Sequence, residues 1–538
     1  MGETFRKSMA LLHTWAGVIL GSVLFAIFWM GSLSVFDREF DRWMQPGIRL
    51  GAAMKSASLD EVVKPALKNV AAGSPQLLVR LPTERMAHIQ LSYRDAKGQF
   101  ASRAMNPMTG RLIEEQGSLS GTGFFFPFHF RLYLNWMSIG YWLVGLASMA
   151  MLVLLVSGVI IHRKIFSDFF LFRPKKQLQR AALDLHNLTG VLGLPFHFLI
   201  TLSGLIIFLQ VYFPFSHVGA FGFGVEARSA FQTEVAGRFA RPRNGNPGGL
   251  ASLDTMVAEA ERVWPGGKVS LVRIWHPGDA AGYVEVRRSY ANDVTMNLDQ
   301  LYFDAQTGDV LHRFEASPIV GIQRFISGMH FIQFDHWGLR WLYFFAGLSG
   351  CVMIVTGFLF WLESRRASHA RKGLPGVRTV EALTVCSVTG ILVATLAYLV
   401  ANRLLPVGVT LAGQDRAELE VWVFYLVWLS TLVHATWRRA DPISKPARRA
   451  WLEQCSAIAA LALLAVALNA ITTGDHLFRT LRRGDWQVAG VDLTLLVSAA
   501  IFAWAARRIS RSSRETGSAG RSYRERRAAG AMQEASRV

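Results

Sequence analysis

Eight apolar runs punctuate this chain, at about 11–36, 138–161, 187–213, 341–362, 381–400, 420–437, 454–471 and 490–506. Several reach the roughly 20 residues that a helix needs to cross a hydrocarbon core. Two long stretches between the runs follow a different pattern. From Ser58, SLDEVVKPALKNVA has the cap and spacing of an amphipathic helix, HIQLSY alternates as a strand, and NPMTG closes a turn at Gly110. From Ser252, SLDTMVAEAERVW, KVSLVRIW, YVEVRRS and a turn at DAQTG ending in Gly308 repeat that order. The pattern predicts a polytopic α-helical membrane protein of about eight spans, carrying two inserted α+β domains, each a helix followed by antiparallel strands.

The repetition extends into the spans. LHTWAGVILG from Leu12 matches LHNLTGVLGL from Leu185, so His13 corresponds to His186, and Gly17 with Gly190 and Gly31 with Gly204 share the offset. His197 has only Leu24 opposite it. After each polar stretch comes a histidine among aromatics, His129 in PFHFRLYLNW and His330 in GMHFIQFDHW, then a span containing Ser157-Gly158 or Thr356-Gly357. His162 has no counterpart near Trp361 to Glu363. A unit of span, outer domain and span, duplicated over residues 8–366, is therefore expected. The expected boundaries are a first span in 1–36, outer domain 37–137, two spans with a basic loop in 138–213, outer domain 214–340, a fourth span in 341–366, a four-span extension in 367–508 and a basic, disordered tail in 509–538.

Composition agrees with a membrane protein: 51% of residues are hydrophobic, with 36 Phe and 16 Trp, and the mean hydropathy is +0.27. The first run keeps a basic start, Arg6 and Lys7, and lacks a small-residue cleavage site, so it reads as a retained anchor. Lys and Arg number six in 163–185, including Arg163, Lys164, Lys175 and Lys176, five in 363–379, five in 438–450 and nine from Arg507 onward, against two in 401–419 and three in 472–489. By the positive-inside rule both termini face the cytoplasm. The same asymmetry accounts for much of the +19 net charge, which reads as a basic rim at the lipid bilayer and not as a nucleic-acid footprint.

Histidine supplies the candidate chemistry. His186 and His197 lie 11 residues apart in one apolar run, roughly 16 Å along a continuous helix and within about 20° of one face, although Pro195 between them is a potential kink. Ionisable side chains in spans are costly and mark function, and histidine is a usual axial ligand of haem iron. The candidates form two layers: His13, His162 and His186 at the cytoplasmic ends of the first three spans, and His129, His330 and His197 in an outer or middle layer. Plainer roles stand beside this one: an interfacial cation for His162, buried hydrogen bonding for His13 and His186, and helix caps for His129 and His330. His88, His217, His276, His312 and His336 read as surface or turn residues, and His434 as packing or a third site. Cys351, Cys386 and Cys455 fall in predicted spans without the spacing of a metal or disulfide framework. No G-x-G-x-x-G follows a strand, so no nicotinamide or flavin domain is evident and the electron source must be separate.

The LH-x3-G-V opening, the DLH start of the third span, SGVIIHRK at the end of the second and the DAQTGDV turn resemble the PepSY-associated transmembrane family over about the first 366 residues. Members of that family include haem-containing inner-membrane reductases of ferric siderophores. The resemblance implies two periplasmic PepSY-like domains, two b-type haems held by histidines, and single-electron transfer to periplasmic iron(III)-siderophore chelates. A membrane quinol or a cytoplasmic flavoprotein would be the donor. Two other classes stay open: a non-enzymatic PepSY membrane protein that binds a periplasmic partner, and a siderophore or metal transporter. Arg80, Arg103, Arg273, Arg287 and Arg288 either meet an anionic chelate or form solvated strand faces.

Overall fold

The computed structural model describes residues 2–51, 58–95, 97–162, 173, 177–438 and 448–535, with side chains from 4 to 511. Arg163, Lys164, Lys175 and Lys176 of the basic loop lie outside the described residues. Seven described helices are long and apolar enough to cross a membrane: Thr4–Ser34, Trp136–Ile161, Trp337–Arg371, Gly376–Leu404, Arg416–Trp437, Arg448–Thr473 and Trp486–Arg511. The eighth expected span is a broken pair, Leu178–Leu192 and Leu194–Ile207. Pro195 sits in the first turn of the second helix, where its missing N–H costs no helical bond. The break at Gly193 interrupts the ladder, so the same-face relation expected between His186 and His197 does not hold. The last helix continues to Ala535, through the tail expected to be disordered. Its Ala, Arg and Glu residues are strong helix formers, and they carry the helix past the intervening Gly and Ser.

The chain divides into two units, one of Met1–Ala26, Ser157–Val191 and Cys351–Val538, the other of Ile27–Val156 and Leu192–Gly350. The second contains both expected outer domains, and here the structure departs from the sequence pattern. Strands β1 (Gln76–Arg80), β2 (Ile89–Arg94) and β3 (Phe100–Met105) join β4 (Val269–Trp275), β5 (Tyr283–Arg288), β6 (Gln300–Asp304) and β7 (Val310–Phe314) in a single antiparallel sheet, ordered β3-β2-β1-β4-β5-β6-β7. The two repeats are halves of one sheet because β1 and β4 each leave a hydrogen-bonding edge that the other fills.

That seam has internal symmetry. Leu78 pairs with Arg273 and Val79 with Val272, and the offset that carries Ser58 onto Ser252 exchanges these two pairs. Helices α1 (Leu59–Asn69) and α2 (Leu253–Val263) cover one face of the sheet, burying Leu59, Val63, Leu253 and Met256 against Leu77, Val79, Ile274 and Val284. Each such side chain contributes about 1.5–3 kcal/mol. Their first turns are capped reciprocally. Asp254 accepts from the Ser58 hydroxyl at 2.5 Å and the Leu59 N–H at 2.9 Å, while Asp60 accepts from the Ser252 hydroxyl at 2.6 Å and the Leu253 N–H at 2.8 Å. Burial raises the Asp60 carboxyl, but these hydrogen bonds and Lys64 outweigh it and hold the group below its ordinary value.

A buried ion network fixes the base of this unit. Arg340 donates to Glu39 at 2.8 Å and to the Val35 carbonyl at 3.0 Å, and Arg85 donates to Glu39 at 2.9 Å and Asp37 at 3.1 Å. It joins the short helix Asp37–Met44, which follows the first span, to the Trp337–Arg371 span.

Candidate functional site

Each unit brings two of the candidate histidines together. In the first unit the rings of His13 and His186 lie 6.3 Å apart between centroids, with planes at 87°. In the second, His129 and His330 lie 5.9 Å apart at 30°. Two imidazoles on opposite sides of one metal, each about 2 Å from it, put their centroids roughly 6 Å apart.

A shared local arrangement positions the rings. His129 stands over Gly31, where an added Cβ would come within 2.7 Å of its Nδ1 and Cε1, and its Nδ1 bonds the Ile27 carbonyl at 2.9 Å. His330 stands over Gly204, whose Cβ would come within 2.9 Å, and its Nδ1 bonds the Ile200 carbonyl at 2.7 Å. His186 stands over Gly357, with a Cβ distance of 3.2 Å, and its Nδ1 bonds the Met353 carbonyl at 2.8 Å. In all three the carbonyl belongs to the residue one helical turn before the glycine. His13 stands over Gly158, with a Cβ distance of 3.3 Å, and its Nδ1 meets the Ser157 hydroxyl at 3.0 Å.

The hydrogen bonds settle the tautomer. A carbonyl only accepts, so Nδ1 of His129, His186 and His330 carries the proton and Nε2 of the neutral ring presents a lone pair. No described residue hydrogen-bonds Nε2 of these three rings. A histidine anchored through one nitrogen to a carbonyl, with the other nitrogen left as a donor, is the usual preparation of a metal ligand. Among the described residues no cluster of three or more His, Cys, Asp or Glu side chains could hold a bare metal ion. The imidazole pairs His13 with His186 and His129 with His330 are residues that would hold a haem, which would supply one-electron iron chemistry.

Residues 10–364 match the family model of the PepSY-associated TM region. This chain is a PepSY-associated transmembrane protein. A relative in Pseudomonas aeruginosa, the uncharacterized protein PA4219, is 28% identical over 382 residues, covering 67% of this chain and 88% of the relative.

The remaining candidates of this PepSY-associated protein are placed differently. Asn187 hydrogen-bonds Nε2 of His162 at 2.9 Å. His197 is fully buried, with Nε2 at 3.4 Å from the Ala346 carbonyl and 3.3 Å from the Ser349 hydroxyl, and with Phe28 and Phe196 against its ring. Its Nδ1 has no hydrogen-bond partner among the described residues. His434 bonds Glu453 at 2.7 Å and Gln454 at 3.3 Å, in a polar network of the C-terminal spans.

His88, expected at the surface, is buried at 7% exposure and bonded to Gln90 at 3.0 Å. Burial pushes its imidazole down to about 4. The strand alternation accounts for this, because His88, Gln90 and Ser92 share a polar face that meets Ser102 of β3. Sequence reasoning also missed Ser203, whose hydroxyl lies 3.1 Å from His330 Nδ1. The available signal was the Ser203-Gly204 pair, which resembles Ser157-Gly158.

Proposed function

We propose that this PepSY-associated protein is a di-haem b-type electron carrier of the bacterial inner membrane, with both termini cytoplasmic, that delivers single electrons to periplasmic iron(III)-siderophore chelates. The observation that carries the reading is the recurring glycine notch, in which the imidazole of His129, His186 or His330 is anchored through Nδ1 to a carbonyl, with the rings of each pair 5.9–6.3 Å apart between centroids. His13 with His186 would hold one haem and His129 with His330 the other. Bound there, haem supplies reversible one-electron iron chemistry.

The protein's own residues do the positioning. Carbonyls of Ile27, Ile200 and Met353 fix ring orientation and raise donor strength. The glycines leave helix surface bare so that the rings seat closely. The apolar spans keep water from the ligand nitrogens. A polar chelate does not enter a bilayer and a cytosolic reductant does not leave it, so outward reduction needs such a relay. Each iron(III) accepts one electron and becomes iron(II), and the electron comes from a membrane quinol or a cytoplasmic flavoprotein.

The test is the visible spectrum of the detergent-purified protein, oxidised and dithionite-reduced, with haem quantified per chain. About two haems are expected, with sharp reduced α and β bands. His129→Ala and His186→Ala should each lose about one. A colourless protein from haem-replete cells would falsify the reading and favour a partner-binding membrane protein, while substrate uptake into vesicles without redox change would favour a transporter.

A further inference from the structure

The second unit holds a cavity of about 230 Å³ whose lining includes Arg38, Arg80, Arg85, Arg287 and Arg288, with Asp335 as the only carboxylate among the described lining residues. Like charges gather only against electrostatic cost, and the protein offsets part of it. Arg85 pairs with Asp37 and Glu39 at 3.1 and 2.9 Å, Arg288 with Asp293 at 3.3 Å, Arg287 with Glu285, and Arg38 lies 3.7 Å from Asp41. The Arg80 guanidinium forms no ion pair or hydrogen bond with any described residue. Arg80 is the exposed last residue of β1. Partial desolvation of its guanidinium first, and then the neighbouring guanidiniums of Arg38, Arg273 and Arg287, push it below its ordinary value, with Tyr290 acting in the other direction. The Tyr290 hydroxyl, also in the lining, has no hydrogen-bond partner among the described residues.

We propose that this cavity binds a small polycarboxylate anion, with the Arg80 guanidinium and the Tyr290 hydroxyl donating to its carboxylates. Guanidinium forks match planar carboxylates bidentately. Arg38, Arg80 and Arg287 come from three separate elements, an arrangement that suits several carboxylates on one molecule better than a single tetrahedral phosphate. The volume lies below the roughly 300–1,000 Å³ of drug-sized pockets, so the site takes a small solute or one charged arm of a larger one. For an iron(III) hydroxycarboxylate chelate the same contacts would seat the electron acceptor, an extension that rests on the electron-carrier reading. Anion binding itself does not.

Isothermal titration of the full-length protein in detergent tests this, using citrate, inorganic phosphate and sodium chloride at matched ionic strength. Saturable citrate binding is expected, tighter than phosphate, weakened at least tenfold in Arg80→Gln and several-fold in Tyr290→Phe, and unchanged in Arg103→Gln. The Arg80 guanidinium has no ion pair or hydrogen bond among the described residues, so Arg80→Gln should melt like the parent without ligand. If that variant does not fold, Tyr290→Phe decides alone. Citrate heats equal to those of chloride, tighter binding of phosphate, or unchanged citrate affinity in both site variants would overturn the proposal. A colourless preparation that binds citrate through Arg80 keeps this site and removes the electron-carrier reading; a haem-loaded protein without such binding does the reverse.

Discussion

At the scale of single residues, the candidate site depends on four positions where a side chain is missing. A methyl group on Gly31 or Gly204 would occupy space already held by an imidazole, at 2.7 and 2.9 Å, and cores resist even one added methylene. Gly204→Val should displace His330 from the Ile200 carbonyl and, on the electron-carrier reading, remove about one of two expected haems per chain, measured as the pyridine haemochrome. Gly219→Ala, with nothing within 4 Å of the added Cβ, should retain both. The matching offset of Gly31 and Gly204 was legible in the sequence, as was the duplication of His13 and His186. Which histidine faces which glycine was not, because that pairing joins residues about a hundred or more positions apart. His88 was misread for a related reason: although it opens the alternating HIQLSY segment, its burial depends on the strand neighbours that its face meets.

At the scale of elements, helix starts could be read locally, since both helices begin after Ser58 and Ser252, but only the Ser252 side chain caps its own helix, while Ser58 donates to Asp254. Strands could be read locally too, and the alternating segments became β2, β4 and β5. Their assembly into one sheet could not, because an open strand edge carries no label naming its partner. The exchanged caps at α1 and α2 are testable in the same terms. Asp254→Ala and Asp60→Ala should each cost about 1 kcal/mol, read as a drop in melting temperature. The Asp60 carboxyl is held below its ordinary value of 3.8. Its contribution is therefore fully present above that value and is lost as pH falls through the lower folded value. The penalty of Asp60→Ala should be complete near pH 6 and shrink in acid; a penalty equal at pH 3 and pH 6 would contradict the cap. The break at Gly193 belongs to this scale too. Periodicity alone gave a continuous span there, and Pro195 was the one local sign against it.

At the scale of the whole molecule, duplication produces two histidine pairs that differ in one measurable respect. The planes are at 87° for His13 with His186 and at 30° for His129 with His330. On the electron-carrier reading, where each pair would hold a haem, the different ring orientations would give the two irons different ligand fields. On that reading, low-temperature electron paramagnetic resonance of the oxidised protein should show two low-spin ferric signals, one strongly anisotropic and one rhombic. His13→Ala should abolish the former and His330→Ala the latter; one signal shared by both sites would count against the pairs as described. The seam of the sheet has a further consequence. The β1–β4 register maps onto itself when the repeats are exchanged, and each repeat lends an aspartate to the other's first helical turn. A chain with a single repeat would have a bare strand edge and an uncapped helix, and a second copy of itself would repair both. The present protein has the form of a homodimer fused into one polypeptide, so neither half of its sheet can be shed or replaced without unmaking the other.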